Sequence, residues 1–571
     1  MKHTSPNRPA NIRSILCHFP VRQSARLLAI CLLTFWIVAG SPSFASPSPA
    51  SPELWLYYST NLQVDDNLRE LEPVFRRAAA AGYRKVFLND SKFSHPDNQP
   101  KRYFENIEKV RELAAHLGLE IVPGIFPVGY SNSMLFNDPA LVESLRAKDG
   151  LWVVNHGEAR PVTGPETRFP AFEDRTQWDI CDPTVAFEDA AAHVSHAAGK
   201  NARVAKRLRV EPFQQYHVSV LVRTKGYNAK PMLIQAIGSE GERELNYTYL
   251  PVKPTQDWKL CHMVFNSLEN TEVMISFRAG YEGAPGELWW RDPKIEAAGF
   301  LNLVRRRSEP LVVKTEDGRE LREGEDFEPV RDPKMGTDPW AGEYGVWHEP
   351  PVMKTRLPDG TRLRVSFSHA ITIHSGQAMI CPSESKTVDL LREQARRMEE
   401  IFHAKAYFMN HDEIRVLGRD EACAARNLDA GALLADNVRT CQKILRETSP
   451  GAKIYVWSDM FDPHANARDH YYLVKGNLAG SWDGLDPSVI IANWNSGKPA
   501  ESLAWFADRG HRQILAGYYD EAPEKILEWL KVAGGIRGID GVMYTTWENN
   551  YADLERFAGI VRKGWKPGSA P

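Results

Sequence analysis

The chain has no basic stripe or block, and its 70 Lys and Arg stand against 73 Asp and Glu for a formal net charge of -3. Nothing in it supplies the phosphate-neutralising footprint that a nucleic-acid partner requires. No CxxC pair and no His/Cys cluster has zinc-ligand spacing, so neither a metal nor a cofactor is expected. No glycine-rich phosphate loop opens any helical segment, which argues against an open, doubly wound nucleotide-binding sheet. Long apolar runs are missing too. The run Leu27 to Gly40 falls short of the ~20 residues a spanning helix needs, and no other segment is a candidate.

That run follows Arg8, Arg13, Arg22 and Arg26 and precedes Ser43-Phe44-Ala45, the order of an export signal with small residues at its cleavage point. Residues 1–45 are therefore expected to be a signal peptide and 46–52, rich in Ser, Pro and Ala, a linker. The protein is then exported, to the periplasm or beyond the cell. Of seven cysteines, Cys17 and Cys31 leave with such a signal. Cys441 shares an apolar stripe with Leu434, Val438 and Leu445 and reads as a buried thiol. Cys181 with Cys261, and Cys381 with Cys423, are pairs able to bridge in an oxidising compartment, with connectivity left open.

What is present is a chain of 571 residues, 43% hydrophobic, long enough for a large barrel and a second module. Short apolar runs at Leu54 to Tyr58, Lys85 to Leu88 and Glu120 to Phe126 alternate with helical patterns. The alternation stops, then resumes with a helix at Val388 to Ala404 and strands at Ala406 to Asn410, Lys453 to Trp457, Val489 to Asn493, Gln513 to Tyr518 and Gly541 to Thr546. About eight strands is the number of a closed barrel. The fold class expected is α/β, a (β/α)8 TIM barrel interrupted after strand three by an all-β jelly-roll sandwich. The barrel occupies 53–171 and 386–571, the sandwich 172–300, and 301–385 forms a connecting segment at the barrel mouth.

In a parallel barrel the chemistry gathers at the carboxyl ends of the strands. The fourth ends Asn410-His411-Asp412-Glu413, an adjacent acidic pair beside a histidine and an amide. Helix capping by Asp412, with Glu413 in a first turn, is the structural account of the same residues. Trp457 and Asp459 after strand five, Trp494 after strand six, Tyr518 after strand seven, and Trp547 with Glu548 after strand eight supply aromatic walls and polar groups for a sugar pocket.

This constellation resembles the substrate-assisted hexosaminidases of glycoside hydrolase family 20, which carry adjacent Asp and Glu at the end of the fourth strand. The resemblance implies that Asp412 orients the 2-acetamido group whose carbonyl oxygen attacks the anomeric carbon. It implies that Glu413 protonates the leaving oxygen, kept protonated by burial and its charged neighbour. The family's His-x-Gly-Gly-Asp-Glu signature is absent, Met409-Asn410 standing where its glycines would be, and strand one offers Tyr57, Tyr58 and Asn61 rather than an Arg. In the interruption, the alternation Tyr216 to Val222 and Trp289-Trp290-Arg291-Asp292 resemble the carbohydrate-binding modules of families 4 and 9.

The expected function is a secreted glycoside hydrolase, β-N-acetylhexosaminidase-like, with an oligo- or polysaccharide as partner. One alternative keeps Glu413 as acid/base with Asp520 or Glu521 on strand seven as nucleophile. Another class of alternative is a non-catalytic glycan-binding surface protein.

Overall fold

The computed structural model describes residues 51–195, 201–228, 231–239, 243–280, 286–374 and 376–566. The expected signal, and the expected linker up to residue 50, lie outside them. Among the described residues no helix is long and apolar enough to cross a membrane.

Eight parallel strands close into a barrel: Glu53–Ser59, Lys85–Asn89, Glu120–Ile125, Ala406–Met409, Lys453–Trp457, Ile490–Asn493, Gln513–Leu515 and Ile539–Tyr544, the last pairing with the first. Their β-branched and aromatic residues suit a sheet buried on both faces. Alternation divides the side chains. Trp55, Tyr57, Phe87, Phe408, Tyr455 and Trp457 fill the barrel, whereas Leu54, Leu56 and Tyr58 face the surrounding helices. Phe87 stacks on Phe408 with centroids 4.0 Å apart, so the interior is packed and a ligand can enter only at the mouth.

The regular (β/α)8 TIM barrel with a single jelly-roll insertion is corrected by this topology. Helices account for only 26% of the described residues. The crossover from Trp457 to Ile490 carries no α-helix, only the 3-10 turns Asp459–Phe461 and Ser481–Gly484. Its sequence explains this: Pro463 and glycines 476, 480 and 484 interrupt any 3.6-residue apolar stripe, and Gly476 and Gly480 take φ of 78° and 87°.

The interruption after the third strand holds three sheets. Two five-stranded antiparallel sheets run through 180–297, one built on Gln215–Lys225 and the other on Leu233–Gly238 and Glu272–Arg278. A third, seven-stranded sheet pairs Arg362–His369 with Leu145–Asn155, bringing residues just past the third barrel strand against the segment that re-enters the barrel. It carries its own apolar cluster around Trp152, Phe300 and Phe367. The long amphipathic helix Ser385–Phe402 then returns the chain, burying Leu391, Ala395 and Met398 on one face.

Candidate active site

Past Met409 the chain leaves the fourth strand with alternation still in force: Asn410 and Asp412 turn to the barrel mouth, His411 away from it. The loop is held close to the one after the third strand. A Cβ at Gly129 would lie 1.8 Å from the Asp412 carbonyl oxygen, so only glycine permits this approach. Glu413 sits at φ 49°, a left-handed conformation costly for a residue with a side chain. Its N–H donates to Asp459 Oδ2 at 2.9 Å, and its carbonyl accepts from Gln377 Nε2 at 2.9 Å. These bonds secure the strained residue.

Three carboxyl groups meet here. Glu413 takes Arg415 Nη2 on Oε1 at 2.8 Å and the Tyr130 hydroxyl on Oε2. Arg415, with a side chain only 3% exposed, also donates to Gln377 Oε1 at 2.5 Å. Asp459 accepts Trp494 Nε1 at 3.1 Å and Asn466 Nδ2 at 2.9 Å. Burial pushes the Glu413 carboxyl up, but the Arg415 guanidinium and the Tyr130 hydroxyl outweigh it and leave it below its ordinary value. Burial, then the charges of Asp459 and Glu413, pushes Asp412 up to about 8. Asp459 rises to about 7, first by burial and further by the Glu413 charge. These shifts favour an ionised Glu413 and a proton on the aspartates, the reverse of the expectation that the pair holds Glu413 protonated. The sequence shows two adjacent acids; it does not show that Arg415 and Tyr130 converge on one of them.

The Arg415–Glu413 pair supplies a stability prediction. A carboxyl with a depressed folded pKa stabilises the native state above its unfolded pKa, and that contribution is lost as pH falls through the folded value. Arg415→Gln leaves the partly buried Glu413 carboxylate without its counter-charge and is expected to cost about 3 kcal/mol at pH 7. Urea unfolding of variant and parent at pH 7 and again near pH 4 checks this: the gap narrows in acid, and an equal gap at both would refute the ion pair's role.

Asp412, Glu413, Asn410 and Asp459 line one open cleft of about 3160 Å³. So do Trp457, Trp494, Trp547 and Glu548. Trp457 lies 6.0 Å from Trp494 and 5.9 Å from Trp547, and Tyr57 lies 5.2 Å from Trp547, so four aromatic rings make the floor. Two expected residues are elsewhere. His411 is buried outside the barrel, Nε2 3.1 Å from Asn437 Oδ1, and burial holds its imidazole down to about 4. Tyr518 packs on Tyr544 and Phe557 at 4.7 and 5.0 Å, in the layer between barrel and helix Leu554–Gly564. Its neighbour Tyr519 faces the cleft instead, its hydroxyl donating to the Trp494 carbonyl. A one-residue error in where a strand ends exchanges the two faces.

Asp520 also lines the cleft. Its Oδ2 accepts from the backbone N–H of Trp547 at 2.7 Å and of Glu548 at 3.2 Å, while its buried Oδ1 has no hydrogen-bond partner. Glu521 is tied to Lys525. The sheet containing Leu233–Gly238 and Glu272–Arg278 turns Gln235, Tyr247 and Arg278 toward the same cleft, so the inserted module forms one of its walls. Arg419 reaches Glu269 of that module at 3.4 Å and the Leu473 carbonyl at 2.9 Å.

No protein-family model and no curated protein matches the chain. Among solved structures it is similar to a rhamnosidase from Novosphingobium sp. PP1Y, at 12% identity and a TM-score of 0.30, over 92% of this chain and 59% of that one. It is also similar to a family 4 carbohydrate-binding module, at 15% identity and a TM-score of 0.17, over 20% of this chain and 76% of the module. A third likeness is to a family 6 module of the Cellvibrio mixtus lichenase 5A, at 10% identity and a TM-score of 0.17, over 22% of this chain and 93% of that one. These neighbours are carbohydrate-active proteins. At such scores the likenesses carry no functional argument, which rests on the site.

Proposed function

We propose that the protein is a glycoside hydrolase that seats a sugar ring on the tryptophan floor and cleaves its glycosidic bond with Asp412 and Glu413. The observation that carries this reading is the acidic pair, held by a strained backbone directly beside a four-ring aromatic floor in an open polar cleft. Indole faces stack on the apolar face of a pyranose, and neighbouring carboxyls of unlike protonation are what acetal cleavage needs.

The finer reading is substrate-assisted cleavage of an acetamido sugar. Asp412 shares the floor with Tyr57, whose hydroxyl feels its charge, whereas Glu413 faces Tyr130 and His374 nearer the inserted module. A ring on the floor thus meets Asp412, and its leaving group extends past Glu413. The amide N–H of an acetamido group is a donor and selects ionised Asp412. The proton that Asp412 gives up passes to Glu413, whose affinity for it rises as the sugar displaces water. Glu413 then protonates the glycosidic oxygen as the acetamido oxygen attacks the anomeric carbon, and later takes a proton from the water that opens the oxazolinium ion.

This sets a pH dependence. The free site carries its proton up to about pH 8 on Asp412 and loses it above, so kcat/KM is expected to fall as pH rises past that value. Asp459→Asn removes a neighbouring negative charge, lowers the Asp412 value and moves the fall to lower pH. A limb unmoved in that variant would refute the shared proton.

The unpartnered Oδ1 of Asp520 favours a second reading, in which it attacks the anomeric carbon and a covalent glycosyl-enzyme forms. Hydrolysis of aryl N-acetylglucosaminide and N-acetylgalactosaminide beside glucoside, galactoside and rhamnoside tests both. Turnover confined to acetamido sugars supports the first and turnover of plain sugars the second. Silence on these and on oligosaccharides would leave a glycan-binding protein.

A further inference from the structure

Away from the cleft, four ligand-type side chains converge in a fully buried spot: Glu143, Cys381, Asp420 and Cys423, their donor atoms all within 4.8 Å of one another. They come from three separate parts of the chain. Glu143 follows the turn Pro139–Leu141, Cys381 precedes the helix Ser385–Phe402, and Asp420 caps the short helix Glu421–Ala424 that contains Cys423. No local motif announces them, which is why ligand spacing along the sequence does not reveal the cluster.

The distances have the scale of a tetrahedral metal site. Zinc–sulfur bonds of about 2.3 Å at a tetrahedral angle place two sulfurs about 3.8 Å apart; the Cys381 and Cys423 Sγ atoms are 3.7 Å apart. Sulfur and carboxylate oxygen on one zinc lie about 3.6 Å apart by the same geometry; Cys423 Sγ is 3.3 Å from Glu143 Oε2. The donors are themselves held by hydrogen bonds. Glu143 Oε1 accepts the N–H of Arg419 at 2.7 Å and of Asp420 at 3.2 Å, and Asp420 Oδ1 accepts the Cys423 N–H at 2.8 Å. The Arg306 guanidinium is bonded to Asp420 Oδ2, offsetting part of the negative charge that two thiolates and two carboxylates bring.

We propose that Glu143, Cys381, Asp420 and Cys423 form a structural zinc site that ties the loop after the fourth barrel strand to the segment entering the helix Ser385–Phe402. Two thiolates select zinc over hard cations, and four protein donors leave no open position for a reacting water. Binding expels the two thiol protons and any proton on Glu143, so affinity falls as pH falls. The pinned loop also carries Asp412 and Glu413, so the metal holds the acidic pair from behind.

The test is the metal content of the full-length mature protein, purified untagged without chelator, with thiols titrated in denaturant. About one zinc per chain is expected, absent from Cys381→Ser/Cys423→Ser and reduced in Glu143→Gln. Stripping with a chelator should lower the melting temperature by several degrees, with zinc restoring it. A second readout independent of the double variant's folding is the parent reloaded with cobalt, which should show a thiolate-to-cobalt charge-transfer band in the near ultraviolet. A Cys381–Cys423 disulfide, seen as an intact mass two hydrogens lower and two thiols fewer, would overturn the proposal. So would free thiols that take up neither zinc nor cobalt.

Discussion

Glu413→Gln is expected to lower kcat/KM for an acetamido glycoside by about 10²–10⁴-fold, the span that loss of a positioned acid covers, and, by leaving the buried Arg415 guanidinium without its counter-charge, to lower stability while the protein still unfolds cooperatively. The substitution conserves shape but removes the group able to protonate the leaving oxygen. The loss should shrink on dinitrophenyl glycosides, whose leaving group departs without a proton, and that dependence distinguishes an acid from a residue that merely holds the loop. Asp412→Asn should lose a similar factor on acetamido sugars even in acid, because an amide cannot carry the charge that orients the 2-acetamido group, yet lose under about tenfold on any plain glycoside that is turned over, once the pH is low enough to protonate Glu413 without the Asp412 proton. Equal losses on both substrate classes would refute substrate assistance and turn attention to Asp520. The paired variants, measured on both substrates, therefore separate the two mechanisms within one experiment.

Gly129→Ala should cost nearly as much without touching an ionisable group. The added methyl would sit 1.8 Å from the Asp412 carbonyl oxygen and 3.0 Å from its carbonyl carbon. Backbone cannot rotate away as a side-chain end can, so the loop bearing Asp412 and Glu413 must shift. A displacement of about 1 Å at a catalytic group costs on the order of 100-fold in rate. The variant is expected to keep its far-ultraviolet circular dichroism, lose some thermal stability and show that fall in kcat/KM, mostly in kcat. Unchanged turnover would mean that the spacing of these two loops does not set the position of the acidic pair.

Much of the barrel is legible because its strands are buried on both faces, so Leu54 to Tyr58 or Lys453 to Trp457 stand out as apolar runs whatever their neighbours. Polar groups just beyond those runs mark the mouth, and Asp412, Glu413, Asp459, Trp494 and Trp547 are found that way. Where a strand ends is a matter of one residue, and there the reading slips. Tyr518 for Tyr519, and His411 counted with Asp412, are both failures to assign a face. The missing helix between Trp457 and Ile490 is legible in hindsight from Pro463 and the glycines that follow.

The amino-acid sequence by itself determined where the eight barrel strands run, that a β-rich stretch interrupts them, and which loop carries adjacent carboxyls, because periodicity and burial are local properties of the chain. Only the tertiary structure decided which carboxyl holds the proton. Tyr130, Gln377 and Asp459 reach the pair from three other segments, and the loop's own fold turns Arg415 back onto Glu413; a pKa is set by burial and by such charges in space. The same reason hid the cluster of Glu143, Cys381, Asp420 and Cys423, whose members are separated by up to 280 positions yet meet within 4.8 Å.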